Sequence, residues 1–120
     1  MKAYGGLLAI LALGVAPIGA SSKVTLRVTP TMAFAPADLT VRATVETDPA
    51  NRSMQVIAES VDFYRSSEIQ LEGEFAPRTN TVSFRSLPGG EYVVRVLVRD
   101  SRGDLLAVST SQVNVVERGR

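Results

Sequence analysis

The sequence predicts an all-β chain: a sandwich of two antiparallel sheets with about seven strands, behind an N-terminal signal helix. Three observations predict it. Several segments alternate apolar and polar residues with period two, the signature of strands with one face in a core. Turn residues punctuate the chain every 8–12 residues, roughly the spacing of a many-stranded sandwich. The clearest segment runs from the corner Leu87-Pro88-Gly89-Gly90 through Glu91-Tyr92-Val93-Val94-Arg95-Val96-Leu97-Val98-Arg99 into the turn Asp100-Ser101-Arg102-Gly103-Asp104. Its residues Tyr92, Val94, Val96 and Val98 share one face, and Glu91, Arg95 and Arg99 the other, with Val93 and Leu97 as exceptions.

At the N-terminus, Met1-Lys2 precedes an apolar run over 7–18 and the small residues Gly19-Ala20-Ser21. That layout is a secretory signal peptide over 1–20, with cleavage after Ala20. A bilayer-spanning helix needs roughly 20 apolar residues, and this run is shorter and holds Gly14 and Pro17. An uncleaved anchor is the competing reading. The remaining domain, 23–117, is long enough to bury roughly two thirds of its unfolded surface without staples.

In chain order, Val24-Thr25-Leu26-Arg27-Val28-Thr29 alternates and stops at Pro30, which places a first strand at a sheet edge. Residues 31–37 read as a loop, with Pro36 holding Ala35 extended. Leu39, Val41, Ala43 and Val45 then face inward on a second strand, and Thr40, Arg42, Thr44 and Glu46 outward. Residues 47–53 are rich in turn formers. Residues 54–64 favour one strand with Ile57, Val61 and Phe63 on a face, which Glu59 interrupts by a bulge or at a rim. A helix with Val56, Ile57, Ser60, Val61 and Tyr64 on one stripe is the alternative. Short strands follow at 68–72 and at 81–85, the latter with Val82 and Phe84 inward. In the last strand Leu106, Val108 and Thr110 share a face while Val113 and Val115 have the opposite parity, which predicts a bulge near Ser111 or Gln112.

Composition removes several functions. Of 13 Lys and Arg, Lys2 leaves with the signal, so 12 cations face 12 carboxylates and the mature net charge is zero. A neutral chain gives no electrostatic reason for a nucleic-acid partner. Nor is stable membrane insertion expected after signal cleavage. Cysteine and histidine are absent, so the usual nucleophile–base pairs, zinc sites and disulfides cannot be built. No catalytic site, metal site or cofactor is read from the residues, and the chain is expected not to be an enzyme.

The corner Leu87, Pro88, Gly89, Gly90, Glu91, Tyr92, followed by inward Val94 and Val96, resembles the entry to the sixth strand of immunoglobulin-like and fibronectin type III-like domains. The Asp-x-x-Gly-Asp hairpin after it resembles bacterial exported domains of that class. The resemblance implies an immunoglobulin-like sandwich in which the Tyr92 hydroxyl bonds back to the preceding loop. The paired cysteines and core tryptophan of antibody domains are missing.

Against that frame, Arg102-Gly103-Asp104 matches the tripeptide that integrins recognise in a fibronectin type III module. Turn chemistry accounts for the same residues, with Gly103 supplying a positive φ. Asn51-Arg52-Ser53 fits the glycosylation sequon in a surface loop. Asp48, Asp62, Asp100 and Asp104 are candidate calcium oxygens, but no dense Asp-x-Asp-x-Asp run occurs. Glu72 and Glu74 flank Gly73 as a strand end would, with nothing to set them across a cleft. Tyr64 and Arg65 with Ser66 and Ser67 bunch an aromatic, a cation and small polar groups, the composition of binding surfaces. The binding candidates are therefore Tyr64, Arg65, Ser66, Ser67, Arg102 and Asp104. The expected function is an exported, secreted or periplasmic module that binds a protein partner, with carbohydrate binding as the alternative.

Overall fold

The computed structural model describes residues 23–118. The expected signal segment, 1–20, lies outside them. Among the described residues, eight strands form two sheets: β1 (Val24–Thr29), β2 (Met32–Phe34), β3 (Ala37–Val45), β4 (Ser53–Glu59), β5 (Tyr64–Gln70), β6 (Thr79–Leu87), β7 (Gly90–Arg99) and β8 (Leu105–Val116). The first sheet has the order β1-β3-β6 and the second β2-β8-β7-β4-β5. A single turn of 3-10 helix, Gly73–Phe75, links β5 to β6.

Alternation decides what lies between the sheets. Leu39, Val41, Ala43 and Val45 of β3 meet Tyr92, Val94, Val96 and Val98 of β7, all at 5% exposure or less. Met54, Val56 and Ala58 of β4, Phe84 and Leu87 of β6, and Val113 and Val115 of β8 complete the core. β-branched valine dominates, as suits side chains that must pack flat on a pleated surface.

Several expectations are corrected. The segment 31–37 is not only a loop: Met32–Phe34 pairs in parallel with Asn114, Val115 and Val116, so the sandwich is not wholly antiparallel. Residues 54–64 are not one strand. β4 ends at Glu59, the Ser60 amide donates to the Phe63 carbonyl at 2.8 Å, and β5 starts at Tyr64. Ser60 and Asp62 supply the turn, which leaves Val61 at its tip almost fully exposed. The inward set on β4 is the even one, Met54, Val56 and Ala58; Ile57 faces the other side.

The predicted bulge at Ser111 or Gln112 does not occur. Ala107, Ser109, Val113 and Val115 keep one parity throughout, because the small Ser109 occupies an inward position that the hydrophobic pattern hides. The register slips instead beside the hairpin, between Val98 and Arg99, where Leu106 is the extra residue. A second irregularity lies between Ala37 and Leu39. There Ser86 takes a left-handed φ of 60°, and its amide donates to Asp38 Oδ1 at 2.9 Å.

Candidate functional site

The corner before β7 has the expected bond. Tyr92 is 1% exposed, and its hydroxyl donates to the Pro88 carbonyl at 2.7 Å. Leu87 is fully buried beneath it. The Gly89 amide donates to Glu117 Oε2 at 3.0 Å, and Gly90 lies against Ser60. Burial pushes the Tyr92 hydroxyl above its ordinary 10.0; a bond with the Ser60 side chain and the charge of Arg65 pull it down, and Glu117 pushes it up. Its ring meets Phe63 edge-to-face at 6.3 Å, and the Arg65 guanidinium lies 5.0 Å over the Phe63 ring. These contacts tie the corner, the β4–β5 turn and β5 together at one end of the sandwich.

The candidates at 64–67 do not form one cluster. Tyr64 pairs with Glu59 and Ser66 with Ile57, which puts both on the outer face; Arg65 pairs with Ala58 and Ser67 with Val56, which puts both on the inner one. Arg65 spans from sheet to sheet, donating from Nη1 to the Arg85 carbonyl at 2.7 Å. Only Tyr64, 55% exposed, is presented outward as a large aromatic.

Four rows cross the outer face of the five-stranded sheet. They read Tyr64-Glu59-Val93-Gln112, Ser66-Ile57-Arg95-Thr110, Glu68-Gln55-Leu97-Val108 and Gln70-Ser53-Arg99-Leu105. Val93 and Leu97, the exceptions to the β7 pattern, belong to this face. Ile57 keeps only 6% of its surface exposed although it faces outward, so neighbouring side chains already close over it. The cations are paired: Arg95 with Glu59 at 2.7 Å and Arg99 with Gln55 Oε1 at 3.0 Å. An apolar diagonal of Val93, Ile57, Leu97 and Val108 is thus framed by the Arg95–Glu59 ion pair, the Arg99–Gln55 hydrogen bond and Tyr64. A shallow depression of about 470 Å³ adjoins it, lined by Glu91, Val93, Gln112 and Asn114 among others. Sequence reasoning missed this surface, although the odd apolar residues of β7 and the outward Leu106 and Val108 were its signal.

Arg102 and Asp104 lie at the β7–β8 hairpin tip, and their side chains approach each other to 4.0 Å rather than splaying. Asp100 organises the turn: its Oδ1 accepts from the amides of Arg102 and Asp104, both at 2.9 Å. Gly103 has φ +85, with open space around it. Asn51 is 5% exposed and donates from Nδ2 to the Glu46 carbonyl at 3.1 Å, so the sequon nitrogen is committed inside the fold. The Arg52 side chain holds the Pro49 and Asn51 carbonyls at 2.6 and 2.8 Å. Among the described residues no group of three or more Asp and Glu is placed to hold a metal ion. Also among them, no helix is long and apolar enough to cross a membrane.

No protein-family model and no curated protein matches the chain. Solved structures do. A superoxide reductase (neelaredoxin) from Ignicoccus hospitalis aligns at TM-score 0.62 and 14% identity, over 78% of this chain and 80% of that one. A variant of that enzyme aligns at TM-score 0.57 and 11% identity over 84% of each chain. The CARDB domain of a Pyrococcus furiosus protein, crystallised with two metal ions, aligns at only 0.48 and 15% identity, over 79% and 94%. At such identities the reductase likeness is one of fold. It nevertheless corrects one expectation: the chain was expected not to be an enzyme, and an enzyme is built on the same sandwich.

Proposed function

We propose that this chain is an immunoglobulin-like interaction module that docks a protein on the outer face of its five-stranded sheet. The observation that carries the reading is the apolar diagonal Val93-Ile57-Leu97-Val108 beside exposed Tyr64, with Arg95 ion-paired to Glu59 and Arg99 hydrogen-bonded to Gln55. Interfaces of this kind have an apolar centre, aromatic and Arg anchors, and a polar rim. The unpaired edge of β5 borders the same face and offers backbone groups to an added strand. The immunoglobulin-like assignment is supported by the Tyr92–Pro88 corner and by two sheets of three and five strands.

Export is part of the proposal and rests on the layout of residues 1–20. Mass spectrometry of the protein recovered from its source cells tests it; an intact Met1 end would contradict cleavage. The docking reading is tested by comparing affinity capture from source-cell extract with wild-type protein and with L97E and Y64E variants. A specific protein retained by wild-type and lost with both variants supports the face. Retention unchanged by either substitution would remove it.

A further inference from the structure

The opposite side of the sandwich has a different chemistry. Every outward position on β1, β3 and β6 is threonine, serine or arginine, with Asp38 as the exception. Arg27 lies directly opposite Arg42, and Arg42 opposite Thr81. The rows on either side are hydroxyls alone, Thr25-Thr44-Thr79 and Thr29-Thr40-Ser83, with the Thr44 and Thr79 hydroxyls 3.3 Å apart. Arg85 stands four residues along β6 from Thr81, roughly 13 Å from the arginine row at the rise of a strand.

Like charges directly opposite each other on adjacent strands are unfavourable. Nothing on this face offsets them. Among the described residues, Arg27, Arg42 and Arg85 have no ion pair and no side-chain hydrogen bond, whereas Arg95 and Arg99 on the other face are both engaged. The one acid, Asp38, spends an oxygen on the Ser86 amide; Glu46 follows just past the end of β3. The small formal net charge of the chain, +1, therefore conceals a cationic face.

The surroundings select the partner. The face carries no aromatic residue on which bases could stack, as single-stranded nucleic acid requires. It has no apolar side chain to enter a bilayer interface, and a sheet face about 10 Å wide has nothing that enters a duplex groove. Threonine hydroxyls both donate and accept, which matches a partner that is itself rich in hydroxyls. The arginine fork matches carboxylate or sulfate bidentately.

We infer that the three-stranded face binds a linear anionic polysaccharide laid flat, with Arg27 and Arg42 on one acidic group and Arg85 on another. The hydroxyl rows beside them exchange hydrogen bonds with the sugar hydroxyls. This site is on the opposite side from the protein-docking face, so the two readings fail separately.

The test is titration of the full chain at low salt with alginate as the carboxylated probe and heparin as the sulfated one. Neutral dextran, oligothymidylate and phosphatidylglycerol vesicles are run in parallel. Binding to alginate or heparin should weaken with salt and fall roughly tenfold in R27Q and again in R42Q, the loss of one charge-assisted bond each. R102Q removes the same charge at the hairpin tip and should leave binding unchanged. Both face variants should melt at or above wild-type, because each relieves the Arg27–Arg42 repulsion. Absence of binding to both polysaccharides, binding insensitive to R27Q and R42Q, or equal loss in R102Q would overturn the inference. Tighter binding to dextran, oligothymidylate or vesicles would overturn it as well.

Discussion

Replacing Tyr92 by phenylalanine removes one hydroxyl and leaves the ring in place. The lost interactions are the 2.7 Å bond to the Pro88 carbonyl and the bond with the Ser60 side chain, at a side chain only 1% exposed. A neutral hydrogen bond contributes a net 0.5–1.5 kcal/mol or so, and a carbonyl left without its donor adds to that. Pro88 is itself exposed, so water recovers part of the deficit. The expected cost is about 1–2 kcal/mol, with the edge-to-face contact to Phe63 preserved. In a domain of this size that lowers the melting midpoint by roughly 5–15 °C, and urea unfolding should show a lower midpoint with an unchanged slope. The same substitution has a pH signature. The folded-state pKa of Tyr92 is raised, chiefly by burial, so the folded state holds its proton longer than the unfolded one. The associated stability is fully present below the ordinary value of 10.0 and is lost as pH rises through the folded value. The phenylalanine variant should lack that alkaline loss. A variant within about 0.3 kcal/mol of wild-type, well under the net worth of such a bond, would refute the corner's energetic role.

Three further outcomes are expected. Asn51→Ala should cost about 1–2 kcal/mol in urea unfolding, since a buried donor and the Glu46 carbonyl lose each other; a neutral result would mean the loop repacks freely. Asp100→Ala removes both acceptor bonds of the hairpin tip and should cost roughly 1 kcal/mol, whereas Arg102→Ala should change stability by less than about 0.5 kcal/mol. Thermal melts of the two variants check this, and a reversed order would show that the ion pair rather than the Asp100 turn organises the tip. Asp38→Ala frees the Ser86 amide in its left-handed residue and should destabilise by about 1 kcal/mol; calorimetry that finds no change would show the bulge is held by packing alone.

Where residues faced a core on one side, the sequence was a good guide. On β3 and β7 the inward set is wholly apolar, so strand and parity both followed from alternation. The corner was legible because its bond links residues four apart. The failures share a cause: burial was inferred from hydrophobicity alone. Ser109 is inward and Leu106 outward on β8, so counting apolar residues placed the bulge too far along the strand. Val61 sits at a turn tip, although its hydrophobicity placed it on a strand face with Ile57 and Phe63. The pairing of β2 with β8 joins positions far apart in sequence, and no local pattern encodes it. The same limit hid both candidate faces. Each is assembled across strands, and the opposition of Arg27 to Arg42 exists only once register is known.

The short strand β2 has a mechanical consequence. It runs parallel to the end of β8, anchored by the Asn114 amide on the Thr31 carbonyl at 2.9 Å and the Ala35 amide on the Val116 carbonyl at 2.8 Å. Tension applied backward along the chain before residue 32 and forward beyond residue 116 draws these strands in opposite directions along their length. The bonds between them are then strained together, in shear, instead of opening one after another as a zipper does. Once β1 has been drawn off β3, the three residues of β2, packed against the C-terminal strand, thus act as a latch that must give before the five-stranded sheet can be peeled from its β8 end.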